Sequence, residues 1–261
     1  MAYNRYLNTA MLYDLDQRDI VKADIPFYLA LANKAEGDIL ELACGTGRIT
    51  IPLIQAGHRV WGLDYSSRML NRLQQKAAAC TAEEQARLTV IEADMCDYQL
   101  PIRFPLIILP FRSFQLLTEP QQPLACLQRA HEHLADDGLF LLHLFRPYGR
   151  LDESWVCEER EDWTISDSEN GTEVRRTQIR GSIDLARQII YPTHTYYVRD
   201  KDGTETVHVE ELAMRYYYEE QIRELLAEAK LQIVEEYGYF DHRPIHEGTE
   251  MIFLCKKVQP T

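Results

Sequence analysis

No CxxC pair occurs among the six cysteines of this 261-residue chain, since Cys44, Cys80, Cys96, Cys126, Cys157 and Cys255 stand far apart. That scatter excludes the paired-thiol spacing of a zinc site or a thioredoxin-like redox motif, and it fits reduced thiols in a cytoplasm. Long hydrophobic runs are also missing. The longest, around Pro105 to Phe111, falls well short of the ~20 apolar residues that span a bilayer. The opening MAYNRYLNTAMLYDLDQRD has no apolar stretch of signal-peptide type. Basic charge is in deficit, with 28 Lys and Arg against 41 Asp and Glu, for a net charge of −13. Such a chain repels phosphate backbones and anionic membrane surfaces, so neither nucleic acid nor membrane is an expected partner. The expectation is a cytoplasmic protein acting as a monomer or homodimer.

What is present is an ordinary globular composition, 46% hydrophobic and 26% charged, sufficient for a real core. The length fits one large domain or one domain with an insertion. Short apolar runs, DILELA, HRVWGLD, RLTVIEAD, FPLIILPF and GLFLLHLF, alternate with helical-period segments, which predicts βαβ units and a parallel sheet. Ser66 is read as the N-cap of a helix facing inward through Met69, Leu70, Leu73 and Ala77, and Leu124, Leu127, His131 and Leu134 as a second inward stripe. Beyond Pro147 the pattern becomes antiparallel, with hairpin signals at Asn170-Gly171 and Asp202-Gly203. A helix with Ile222, Leu225, Leu226 and Ala229 on one face then precedes two closing strands, LQIVEEYGYF and EMIFLCKK.

The predicted fold is therefore α/β: a Rossmann-like, seven-stranded, mostly parallel sheet with flanking helices and an antiparallel β lid insertion. Its parts are a helical lead-in at 1–36, a ligand-binding core at 37–150, the lid at 151–218, and a helix with two strands at 219–261 completing the core sheet.

The most informative segment is Ile39-Leu40-Glu41-Leu42-Ala43-Cys44-Gly45-Thr46-Gly47, an apolar strand running into a Gly-x-Gly turn and a helix from Arg48. Glycines let backbone approach a ligand closely, and the helix start offers free N–H groups. Asp64, ending the second strand, is placed to accept hydrogen bonds from a ribose, or else to cap the helix behind it. Glu92-Ala93-Asp94-Met95 ends the third strand, where an acid can accept from an adenine amino group and a methionine can pack on the ring. A dinucleotide fingerprint calls for glycine or alanine at the position held here by Thr50, which weighs against a nicotinamide-dependent oxidoreductase.

Glu41 stands four positions before Gly45, and the E-x-A-C-G-T-G block resembles the first motif of the class I S-adenosylmethionine-dependent methyltransferases. GLDYSSRML is similar to the second motif of that family and EADMCDY to the third. The resemblance implies S-adenosylmethionine as cofactor, held by Glu41, Gly45, Gly47, Asp64, Tyr65, Met69, Asp94 and Met95. It further implies Pro110 and Phe111 near the methionyl part, and Ser113 and Phe114 close to the acceptor. Arg112 departs from the small or amide residue usual there. The tyrosine-bearing lead-in and the insertion after the fifth strand resemble the small-molecule N-methyltransferases, implying a small-molecule acceptor methylated in line at N or O. A non-catalytic S-adenosylmethionine-binding regulatory or interaction protein is the alternative reading.

Methyl transfer asks the protein mainly for alignment and exclusion of water. Tyr6 and Tyr13 are candidates to face the sulfonium or to pin the lead-in to the core. Among the catalytic candidates, His143 is set to deprotonate the acceptor or to serve as a satisfied core histidine, and Arg146 to bind an anionic group. Asp241 to Glu247 groups metal-ligand types in a proline-containing turn rather than on one helix face, so no metal is expected.

Overall fold

The computed structural model describes residues 9–167 and 171–258. Tyr6 and Asn170 lie outside those residues. The lead-in forms three short helices, α1 (Ala10–Tyr13), α2 (Ile20–Ala23) and α3 (Ile25–Ala32). The chain then alternates strand and helix through β1 (Ile39–Leu42), α4 (Thr50–Gln55), β2 (Val60–Asp64), α5 (Ser67–Ala77), α6 (Ala82–Gln85), β3 (Leu88–Glu92), β4 (Phe104–Leu109), α7 (Gln122–His133) and β5 (Leu134–Phe145). Five antiparallel strands follow: β6 (Cys157–Asp167), β7 (Thr172–Asp184), β8 (Ile189–Arg199), β9 (Glu205–Glu211) and β10 (Met214–Arg215). The chain closes with α8 (Glu219–Glu228), β11 (Leu231–Tyr237) and β12 (Glu250–Lys257).

The main sheet has seven strands in the order β11-β12-β5-β4-β1-β2-β3. β1 pairs in parallel with β2 and β4, β2 with β3 and β4 with β5, whereas β12 runs antiparallel to both its neighbours. All four residues of β1 are buried, as expected of a central parallel strand covered on both faces. The pleat sorts the apolar side chains. Leu40, Leu42, Ile107, Leu109, Phe140 and Leu142 enter the core cluster beneath α7 and α8, while Ile39, Leu106, Ile108 and Leu141 join Phe27, Tyr28 and Leu53 from α3 and α4 on the opposite face. The Rossmann-like seven-stranded fold with its antiparallel lid stands as the sequence predicts.

Ser66 caps α5 by accepting the Met69 N–H at 3.4 Å, and Met69, Leu70, Leu73 and Ala77 are its buried face. The inward face of α7 differs from expectation. Pro123, Cys126, Leu127, Ala130 and His133 are the buried residues, with His131 half-buried beside them. Leu134 already belongs to β5, and the buried histidine is His133, whose Nε2 accepts the Leu100 N–H at 3.0 Å.

The lid is a second sheet in the order β10-β8-β7-β6, with β9 on β8. Asp202-Gly203 turns as expected, Gly203 at φ +85° and Asp202 accepting the Thr204 N–H at 2.9 Å. The β7 to β8 hairpin turns without glycine at its tightest point, with Gln188 at φ +55° and Asp184 accepting the Arg187 N–H at 2.9 Å. Among the described residues, no helix is long and apolar enough to cross a membrane.

Candidate functional site

The site grows from the carboxyl end of β1, where the chain leaves the sheet through Ala43 and Gly45 at φ +55° and +57°, then Gly47 at +80°. The two glycines do different jobs. A Cβ on Gly47 would stand 2.2 Å from Leu73 Cδ1, so this glycine lets the start of α4 approach α5. A Cβ on Gly45 would meet the Met69 Cε at 3.7 Å and open space otherwise, so the backbone is free to be approached from that side.

Asp64, at the end of β2, fixes the turn. One carboxylate oxygen accepts the Gly45 N–H at 2.8 Å and the other the Ser66 N–H at 2.8 Å. The cap of α5 is Ser66, and Asp64 joins the glycine turn to that cap by bonding both amides. Burial pushes its carboxyl upward, opposed by amide hydrogen bonds from Ser66, Gly45 and Tyr65. The next ring, Tyr65, is 53% exposed, and an exposed large aromatic beside a glycine turn is a ready stacking surface. Asp94 is half-buried and accepts the Cys96 N–H at 2.8 Å, while Met95 packs against the core. Room above Gly45, a carboxylate anchored at β2 and an open ring beside it fit a nucleoside-bearing ligand.

Beneath the turn, Glu41 is fully buried and accepts the Thr50 hydroxyl at 2.5 Å. Thr50 therefore occupies the third-glycine position because its hydroxyl serves the buried acid. Desolvation raises the Glu41 carboxyl from 4.5 to about 8, ahead of the lowering effects of Thr50 and Arg48. The folded state holds this proton while the unfolded chain releases it above the ordinary value. Stability is accordingly full below that value, falls as pH rises towards 8 and is flat beyond. Glu41→Gln is expected to flatten this slope, which amounts to at most about 5 kcal/mol over the whole window. Urea unfolding of both proteins at pH 5 and pH 8 measures it, and identical pH dependence in the two would exclude Glu41 as the source.

The lead-in is woven into the turn by contacts that the sequence does not announce. Asp14 accepts from Thr46 Oγ1 at 2.6 Å, Arg72 Nε at 2.8 Å and Lys76 Nζ at 2.8 Å. Arg48 forms two 2.6 Å hydrogen bonds to the buried Asp24 and donates to the Val21 carbonyl at 2.8 Å. Further contacts tie lead-in to lid: Arg176 reaches Asp162 at 2.7 Å and Asp16 at 3.4 Å, and the Thr9 hydroxyl donates to Glu210 at 2.9 Å. No spacing rule links Asp14 to Thr46 or Asp24 to Arg48, since only the folded topology makes them neighbours. A cavity of about 380 Å³ remains among Tyr13, Asp16, Lys22, Arg48, Arg72 and Lys76. Burial raises the Tyr13 phenol, with Arg48 pulling the other way and Asp16, Tyr196 and Asp24 adding to the rise.

At the carboxyl ends of β4 and β5, Pro110 directly follows its strand, His143 takes the satisfied core place given as its alternative, and Arg146 and Phe114 take other places than expected. Pro110 is buried. His143 has no solvent exposure. Its Nδ1 accepts the Phe111 N–H at 3.1 Å and its Nε2 lies 3.0 Å from Glu250. With both ring nitrogens engaged, it does not face an acceptor as a base. Arg146 turns its guanidinium to the His246 and Gly248 carbonyls at 3.0 and 3.4 Å, so it braces the loop before β12 rather than presenting a free anion site. Phe114 is a core residue against Tyr217, ring centroids 5.7 Å apart, and not an acceptor contact.

Comparison with known proteins agrees with the fold. The methyltransferase domain family matches residues 39–138. A putative methyltransferase of Geobacillus sp. (strain WCH70) is 26% identical over 221 residues, 84% of each chain. The solved CcbJ methyltransferase of Streptomyces caelestis superposes with a TM-score of 0.75 at 22% identity over 96% of both chains. The sugar N-methyltransferase KedS8 of Streptoalloteichus sp. ATCC 53650 does so with a TM-score of 0.73 at 17% identity, covering 95% of this chain and 92% of that one.

Proposed function

We propose that the chain is a class I S-adenosylmethionine-dependent methyltransferase, a reading supported by its match to the methyltransferase domain family over residues 39–138, and that it methylates a nitrogen or oxygen of a small-molecule acceptor held beneath the lid. The observation that carries this reading is the closure of lead-in and lid over the glycine turn, through Asp14 to Thr46, Asp16 to Arg176 and Thr9 to Glu210. An acidic chain closed in this way suits a small ligand better than a nucleic acid. The full-length likeness to a sugar N-methyltransferase, lid included, gives further support to an amine acceptor. The six free thiols suit a cytoplasmic setting.

In this reading Asp64 takes the ribose, Tyr65, Asp94 and Met95 the adenine, and Gly45, Gly47 and Met69 the turn against which the cofactor lies, with Glu41 and Pro110 on the methionyl side. The bound cofactor supplies an electrophilic methyl group on a sulfonium. The protein's part is to orient the acceptor and exclude water. Tyr13, its phenol kept protonated by burial, is assigned as a hydrogen-bond donor at the junction of lead-in and lid, not as a base. A neutral amine then needs no protein base, consistent with the enclosed His143.

The test is titration with S-adenosylmethionine, S-adenosylhomocysteine and NAD, followed by S-adenosylhomocysteine release with amino sugars, other small amines and hydroxyl compounds. Micromolar binding of the first two, about −8 kcal/mol, with turnover on an amine is expected. Tight cofactor binding with no turnover on any of these classes would favour the non-catalytic regulatory reading.

A further inference from the structure

The chain leaves β4 through Pro110, Phe111 and Arg112, and the last two both hold left-handed backbone, at φ +53° and +68°. Two consecutive non-glycine residues in that region are costly and persist where their surroundings over-determine them. Those surroundings are a buried polar network. Phe111 N–H donates to His143 Nδ1 at 3.1 Å and Arg112 N–H to the His143 carbonyl at 3.2 Å. Because Nδ1 accepts, the ring proton sits on Nε2 and is donated to Glu250 Oε2 at 3.0 Å. The Tyr28 hydroxyl stands 3.4 Å from the same Nδ1. Arg112 completes the set, its Nε donating to Glu250 Oε2 at 3.1 Å and its Nη2 to Oε1.

Glu250 and His143 are both fully buried, on paired strands β12 and β5. A buried carboxylate shared between a cation and a histidine adds little net stability compared with apolar packing, and its use is to impose one geometry. The geometry imposed here is that of the turn after β4. On its far side the Phe111 ring lies 4.6 Å from the Arg48 guanidinium carbon, in the residue that follows Gly47. The network thus sets one wall of the space at the carboxyl ends of β4 and β1, where ligands of such sheets bind.

We propose that Arg112, Glu250 and His143 are positioning residues for methyl transfer, holding the strained Pro110–Arg112 turn so that Phe111 and the backbone beside it stand correctly against the glycine turn. The inference rests on the methyltransferase reading of that site. Glu250→Gln keeps the shape of the side chain and breaks the charge pairing; Arg112→Lys keeps the charge and loses the two-pronged contact. With an amine that the wild type turns over, both variants are expected to lose about tenfold or more in kcat, while cofactor Kd and acceptor KM stay within about threefold. Hydrogen exchange in the intact variants is the second readout. Amides of 111–113 are expected to exchange about tenfold faster while those of β1 and β4 are unchanged.

Unchanged kcat, unchanged exchange at 111–113, or exchange raised evenly across the sheet would each overturn the proposal. The exchange arm needs no acceptor. A wild type without turnover would therefore count against the methyltransferase reading, and the exchange result would still decide the network.

Discussion

Asp64→Ala is expected to weaken S-adenosylmethionine binding by about 2 to 4 kcal/mol, more than one ligand hydrogen bond accounts for. The reason is the double use of the carboxylate. One share of the loss is the contact assigned to the ribose. The other is preorganisation: Asp64 bonds the Gly45 amide and the Ser66 amide at 2.8 Å each, so it joins the glycine turn to the start of α5 before any ligand arrives. Removing it leaves two partly buried donors without their acceptor and frees the turn. Asp64→Asn retains an oxygen able to satisfy one of the two amides, and its loss should fall between alanine and wild type. Isothermal titration of both variants, with thermal unfolding to show that each is folded, measures the effect. Wild-type affinity in a folded Asp64→Ala protein would remove this residue from the site.

The fold was legible because its signals are local. A buried parallel strand is a continuous apolar run, a capped helix announces itself at Ser66, and helices separate β1 from β2, β2 from β3 and β4 from β5. All seven strands of the main sheet follow from such patterns. On α7 the apolar spacing of Leu124, Leu127 and Leu134 points His131 inward with them, whereas the helix turns His133 into the core, where Leu100 N–H supplies its partner. The glycine-free turn at Gln188 left the β7 to β8 hairpin unmarked for a similar reason, since Asp184 closes it with a side chain.

The sequence points to the candidate site only along β1, β2 and β3, where motif residues are sequence neighbours. The other half of the site comes from long-range pairs: Asp14 with Thr46, Asp24 with Arg48, Arg112 with Glu250. No periodicity connects such residues, because sheet order, not sequence distance, makes them adjacent. The same blindness accounts for His143 and Arg146. A strand position at a carboxyl end says that a side chain is near the ligand layer, but not that β12 and its loop cover that side chain with Glu250 and two carbonyls.

The two glycines of the turn should separate binding from stability. At Gly47 a Cβ would come within 2.2 Å of Leu73 Cδ1 and 3.4 Å of Ile51 Cγ1, at a φ of +80°. Leu73 is itself fully buried, with little room to move aside. Gly47→Ala therefore combines backbone strain with overpacking and is expected to cost about 2 to 4 kcal/mol of stability. At Gly45 the added atom points into open space, 3.7 Å from the Met69 Cε, so the protein itself raises little steric objection beyond a φ of +57°. Gly45→Val should lose a smaller share of stability, about 1 to 2 kcal/mol, and yet lose measurable S-adenosylmethionine binding altogether, because its branched side chain fills the approach to the turn. Thermal unfolding and titration of the two variants side by side are the measurement. Cofactor binding by folded Gly45→Val at wild-type strength would mean that the ligand does not lie against this turn, whereas a Gly47→Ala protein as stable as wild type would mean that the contact between α4 and α5 yields more easily than its packing implies.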